Sequence, residues 1–267
     1  MWALGDKAAA EGIALFTYPT AGYFDAFLYA LMHEAFGDNF ADVLQYGEGA
    51  WETAEAEAIF AILDKLADYT EVTTPANAND DNFQKNQQLV LDNKALFMPN
   101  GNWVIGEMAE STPDGFNWGM MAQPKFDAAD PVNYVYTYTE QMYVPAEAKD
   151  LDLAKQFIEF MYSDTVADLM LANDTGMVPP VLGAADKLED GVVKDTFVLT
   201  STEGFGAVAG TWATTKTING FNMSATVYGA IDMLNLGEYN RYNCAGYDAA
   251  VNSKPAFPNF YNIYKIR

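Results

Sequence analysis

The residues able to carry chemistry are few in kind. The 267-residue chain holds one histidine, His33, and one cysteine, Cys244, beside 37 Asp and Glu and 14 Lys and Arg. A zinc site needs several His, Cys or carboxylate ligands, and one His with one Cys supplies no such cluster. A single Cys also forms no internal disulfide. A Ser-His-Asp or Cys-His nucleophile would have to use His33, which sits in FLYALMHEAFG among apolar residues at helical spacing. It reads as a histidine on a partly buried helix. No spaced Asp-x-Asn-x-Asp-Gly loop for calcium appears, so neither a metal nor a cofactor is expected. What remains are carboxylates, amides and aromatic faces. The stretch ALFMPNGNWVIGEMAE, Ala95 to Glu110, presents one such face: an apolar run enters a Pro-Asn-Gly-Asn turn that delivers Trp103 to the start of a helix. A residue in that place lies at the carboxyl end of an α/β sheet, where ligands bind.

The elements that must position these groups follow from composition and period. Half the chain is hydrophobic and 14% is aromatic, ample for a core in one large domain or two smaller ones. The formal net charge of -23 repels phosphate backbones, which sets nucleic acid aside as a partner. No apolar run reaches the roughly 18 residues that a membrane span needs. The opening WALGDKAAAEG lacks the basic and apolar regions of a signal peptide and reads as the middle of a helix. The expectation is a cytosolic protein or one whose true N-terminus has been removed.

Residues 2–11 predict a helix stopped by Gly12, and IALFTY, Ile13 to Tyr18, a strand. Phe24, Phe27, Leu28 and Leu31 trace one face of a second helix, closed by Gly37. Ile59, Ile62, Leu63 and Leu66 do the same for a third, with Glu enriched in its first turn. The polar TTPANANDDN reads as a loop and FQKNQQLVLDNK as a helix. Asn117 to Phe126 predicts a short strand, and NYVYTYTEQMYVPA a long period-two strand suited to crossing between two sheets. EAKDLDLAKQFIEFMYS is a helix with Ala154, Phe157, Ile158 and Met161 on one side, and Ser163 can cap DTVADLMLAN. The stretch from Asp195 to Gly220 is ambiguous, and FNMSATVYGAIDMLNLGE reads as a helix ended at Gly237. Helices alternating with short apolar strands predict an α/β class, with sheets covered by helices.

The order ALFMPNGNWVIGEM, NWGMMAQPKF, then YTEQMYVPAEAKDLDLAKQFIEFMYSDTVADLMLAN, from Ala95 to Asn173, resembles the extracellular solute-binding proteins of carbohydrate ABC transporters, the maltose-binding-protein-like group. The resemblance implies a periplasmic-binding-protein-like type II fold: two lobes with mixed sheets covered by helices, lobe one incomplete. Residues 1–141 would form the main part of lobe two, 142–177 a lobe-one segment inserted through the hinge, and 178–240 the return to lobe two. Residues 241–267 depart from the family pattern and receive no reading. The implied setting is the periplasm or cell surface, with a lipid anchor in the full-length protein. The implied partners are a small-molecule carbohydrate and a membrane permease, with the protein itself a monomer.

A sugar-binding cleft needs flat aromatic faces for the apolar face of the ring, and carboxylates or amides for its hydroxyls. Trp103 meets the first need, and the competing reading packs it between helix and sheet. Asn102 is a hydroxyl partner beside it. Tyr18, Tyr23 and Phe24 follow the first strand at a similar edge, each equally readable as core. Glu140 falls near the hinge crossing, and Trp212 and Asn222 are further candidates. Trp51, Trp118 and the methionines read as structural. The leading expectation is a binding protein without catalytic residues. Its rivals are a glycosidase-like enzyme, which needs two carboxylates about 5 to 10 Å apart, a binding protein for a non-sugar solute, and a structural module.

Overall fold

The computed structural model describes residues 1–45, 47, 49–78, 82–138, 141–173 and 181–211. Helix α1 (Trp2–Ala10) stops where Gly12 turns to φ +76°, a left-handed conformation that glycine adopts without steric cost, and the Ile13 N–H returns to the Ala8 carbonyl. Strand β1 (Ala14–Phe16) follows, shorter than the apolar run predicts. Helices α2 (Asp25–Phe36), α3 (Phe40–Leu44) and α4 (Ala54–Ala67) come next. The Thr53 hydroxyl caps α4 by accepting from the Ala56 N–H, and Ile59, Leu63 and Leu66 of its apolar stripe are buried. The segment expected to be a loop contains helix α5 (Thr74–Ala78), before α6 (Gln84–Leu91).

Strand β2 (Ala95–Phe97) pairs with β1 in parallel, Ala14 opposite Ala95 and Phe16 opposite Phe97, and Phe16 also bridges to Thr70 on β1's other side. Helix α7 (Val104–Glu107) follows the Pro-Asn-Gly-Asn turn. The strand expected over Asn117 to Phe126 is absent: no residue of that stretch pairs with another strand. Asn117, Gly119, Met121 and Pro124 are instead exposed. Strand β3 (Asn133–Tyr136) is the paired part of the long Tyr-rich run among the described residues. It pairs in parallel with β4 (Phe205–Val208), which lies in the region the sequence left ambiguous, after α8 (Leu151–Met161), α9 (Asp164–Asn173) and α10 (Val192–Leu199). Mixed sheets were expected; both pairings among the described residues are parallel.

Helix α2 is the hub. It packs on α4 and on the β3–β4 pair, so Phe27, Leu28, Tyr29, Ala30, Leu31, Met32 and Phe36 are all buried rather than one stripe alone. Each fully buried Leu or Phe there contributes about 1.5–3 kcal/mol over its exposed state. Glu34, on the same helix, accepts from the backbone N–H groups of Phe126 and Tyr134, at 2.5 and 3.2 Å, tying β3 and the segment before it to α2. His33 packs its ring edge-on against Phe40 and Tyr134, as a histidine within a partly buried helix. Trp51 is core, its indole N–H donating to the Val43 carbonyl.

Helix α8 departs from its expected role. The Asp150 carboxylate caps it, yet none of its residues is buried, and Leu153, Phe157 and Phe160, at i, i+4 and i+7, form an exposed apolar row. The side expected to pack inward thus holds Phe157 outward, while Ala154, Ile158 and Met161 are half-buried.

Tyr136 sets a pH dependence for this packing. Burial beside Tyr29, whose ring centroid is 5.2 Å away, pushes its phenol up to about 12, with Asp25 and Tyr138 adding to the rise. A raised phenol pKa means that the native state holds the proton more tightly than the unfolded chain. That stability is fully present below pH 10.0 and is lost as pH climbs from there towards about 12. Ultraviolet titration should therefore show a late phenolate that is missing in Tyr136→Phe. The denaturant midpoint of that variant should fall less steeply over the same window; equal slopes for the two proteins would show that Tyr136 is not the group responsible.

Candidate functional site

Because β1 and β2 run in parallel, their carboxyl ends share one edge, and the Thr17 N–H bonds to the Phe97 carbonyl there. Two turns leave that edge. The first, after β1, carries Tyr18, Tyr23 and Phe24; the second, after β2, carries Asn100, Gly101, Asn102 and Trp103.

Trp103 caps the start of α7 and is 40% exposed, the posture of a ring with one face packed and one open. Its packed face lies over Gly101: a Cβ on that glycine would fall 2.0 Å from Cζ3 and 2.2 Å from Cη2 of the indole. The sequence Gly-Asn-Trp is thus a steric unit, with the missing side chain of Gly101 making room for the ring two residues on. The Asn100 side-chain oxygen accepts from the Gly101 N–H and holds the turn.

The Trp103 indole lies near enough to the Tyr23 hydroxyl of the neighbouring turn to act on its phenol. Burial pushes the Tyr23 phenol up, the carboxylate of Glu107 adds to the rise, and Trp103 offsets part of it. Glu107 lies four residues after Trp103, one helical turn on, where side chains share a face. Its Oε2 accepts from Gln87 Nε2 of α6 at 2.7 Å. Gln87 is fully buried, and its Oε1 has no hydrogen-bond partner among the described residues.

Tyr18 and Phe24 require a correction. Both were candidates for the cleft edge, and both are core: Tyr18 is 0% and Phe24 1% exposed, in edge contact with centroids 4.7 Å apart. The turn after β1 sends these rings inward and only Tyr23 towards Trp103. Asn102 is half-buried beside Trp103. Glu140, Trp212 and Asn222 lie outside the described residues.

A buried polar network supports the first turn. Asn86 Nδ2 donates to the carbonyls of Tyr18 and Thr74, at 2.8 and 2.9 Å, while its Oδ1 accepts from Asn77 Nδ2 at 2.9 Å. The hydroxyls of Thr17 and Thr74 bond at 2.7 Å beside it. Sequence reasoning missed Glu107, Gln87 and Asn86. The i, i+4 spacing from Trp103 was a usable signal for Glu107, whereas QKNQQ reads as an ordinary solvated helix face.

A hollow of about 410 Å³ lies at the other end of α2, lined by Phe36, Asn39, Asp42, Thr53 and Glu55 among others. Helix α2 is about 18 Å long at the usual rise per residue. None of the expected residues lines this hollow, and Phe36, its one aromatic, is buried. At the edge holding Trp103 stand an exposed indole, a phenol, an amide and a carboxylate. That set can stack on a ring and exchange hydrogen bonds with polar substituents.

A family model described as bacterial extracellular solute-binding protein matches residues 1–198. No curated protein and no solved structure matches the chain. Among the described residues no helix is long and apolar enough to cross a membrane, and no group of His, Cys, Asp and Glu is placed to hold a metal ion.

Proposed function

The chain belongs to the bacterial extracellular solute-binding proteins, which act outside the cytoplasm and deliver a small solute to an ABC permease, and from that premise we propose that its solute is a sugar or oligosaccharide. The observation that carries this reading is the half-exposed indole of Trp103, seated on Gly101 and close to Tyr23. A flat apolar ring face held rigid in that way suits the C–H face of a pyranose, and Asn102, Tyr23 and Glu107 are placed for its hydroxyls. In this reading residues 1–141 and 178–240 belong to one lobe and 142–177 to the other. The sugar lies between them, closure buries it, and the closed form docks on the permease. No bond is broken, and the protein works as a monomer.

A thermal-shift screen against mono- and oligosaccharides tests this. A ligand at 100 times its dissociation constant should stabilise the fold by about 2.7 kcal/mol. Trp103→Ala should weaken binding of any hit by about 1–3 kcal/mol, the worth of a buried aromatic face, with the unliganded Tm little changed. Silence across the sugar panel with a response to another solute class would overturn the sugar assignment. Hydrolysis of a bound oligosaccharide would overturn the non-catalytic one.

A further inference from the structure

Resting on the sugar-binding reading, we infer that Glu107 is a specificity-determining residue, which makes the site favour rings carrying an ammonium or hydroxyl beside Trp103 and reject rings carrying a carboxylate or phosphate. Three observations support it. First, no Lys, Arg or His among the described residues pairs with Glu107; its one hydrogen-bond partner is the Gln87 amide, on Oε2. Second, Gln87 is 0% exposed, and its own oxygen is a buried acceptor with no donor among the described residues. Since its nitrogen is 2.7 Å from Glu107, that oxygen lies in the same neighbourhood. A buried acceptor calls for a donor, and no described residue supplies one here; the oxygen is enclosed, so its effect on a ligand runs through the carboxylate beside it. Third, Glu107 shares the α7 face with Trp103 and acts electrostatically on Tyr23, so its charge is felt at the ring-stacking surface.

The consequence is a polarity for the site. Acceptor oxygens next to an aromatic face welcome O–H and N–H groups, and an ammonium gains both the carboxylate and the indole. An anionic substituent meets an unpaired like charge within a protein of net charge -23. Gln87 acts through Glu107: its amide fixes the carboxylate's orientation.

The test uses glucosamine, glucose and glucuronate, which carry an ammonium, a neutral hydroxyl-bearing carbon and a carboxylate on the same ring. Binding is followed by Trp fluorescence and saturation-transfer NMR at low salt. The wild-type chain should rank them in that order, with steps of about tenfold between the charged rings and the neutral one, since a half-buried charge is screened less than an exposed one. Glu107→Gln keeps the size and an acceptor but removes the charge, and should bring the three affinities to within about threefold of one another, with glucose itself bound more weakly. Glu107→Asp should restore part of the ranking. A ranking unchanged by Glu107→Gln would overturn the inference and leave sugar binding intact. No response to any of the three in the wild-type protein, with a response to a non-sugar solute, would overturn both.

Discussion

Replacing Gly101 with alanine is expected to cost the protein its solute affinity while leaving it folded. The added Cβ would sit 2.0 to 2.3 Å from three carbons of the Trp103 indole, closer than packed atoms approach. One of the two must move. The ring is 40% exposed and hangs at the end of a rotatable side chain, so it yields before the backbone of the turn does. Its escape carries the stacking face away from Tyr23 and Glu107. The loss in binding should approach that of Trp103→Ala, about 1–3 kcal/mol, and stability should fall by less than about 1.5 kcal/mol because the strain is released into solvent. Near-ultraviolet circular dichroism should report the displaced indole. A variant that binds as well as the parent, with an unchanged aromatic spectrum, would show that Gly101 serves the turn alone and that the ring-on-glycine contact is dispensable.

The second large effect is on stability. Asn86→Ala should lower the unfolding free energy by about 2–4 kcal/mol, since it strips the donor from two buried carbonyls, those of Tyr18 and Thr74, and the acceptor from the Asn77 amide. Asn86 is 0% exposed, which leaves little room for solvent to replace those bonds. Asn86→Asp keeps the shape but sets a carboxylate against the two carbonyl oxygens, and should be at least as damaging. Gln88→Ala, two residues along the same helix, breaks only an exposed bond to Asp92 and should stay within about 0.5 kcal/mol. Urea unfolding at constant m value separates these outcomes. An Asn86→Ala loss below about 1 kcal/mol would mean that the network is ornamental. The same variant should also weaken binding, because the Tyr18 carbonyl anchors the turn that aims Tyr23 at Trp103.

The periodic and punctuating residues determined much of this protein by themselves. The Ile59, Leu63 and Leu66 stripe fixed the inner face of α4, Ser163 sits at the head of α9 with its hydroxyl accepting from the Val166 N–H, and the Pro-Asn-Gly-Asn turn brought Trp103 to a helix start at a sheet edge. The order of elements from Ala95 to Asn173 was enough to point to the family that residues 1–198 match. These features are legible because they depend on neighbours within a few residues.

Tertiary structure decided the rest. Tyr18, Tyr23 and Phe24 lie within seven positions and look alike as aromatics at a turn. Only the packing of that turn against α2 and β1 sends two into the core and one to the surface. The polar run QKNQQ carries no mark of burial, yet Asn86 and Gln87 are enclosed because carbonyls freed by the irregular turn, and the Glu107 carboxylate, need donors that α6 can reach. The apolar row of α8 points outward for the converse reason: helical period fixes which residues share a face, but burial of that face requires a partner surface that period cannot encode.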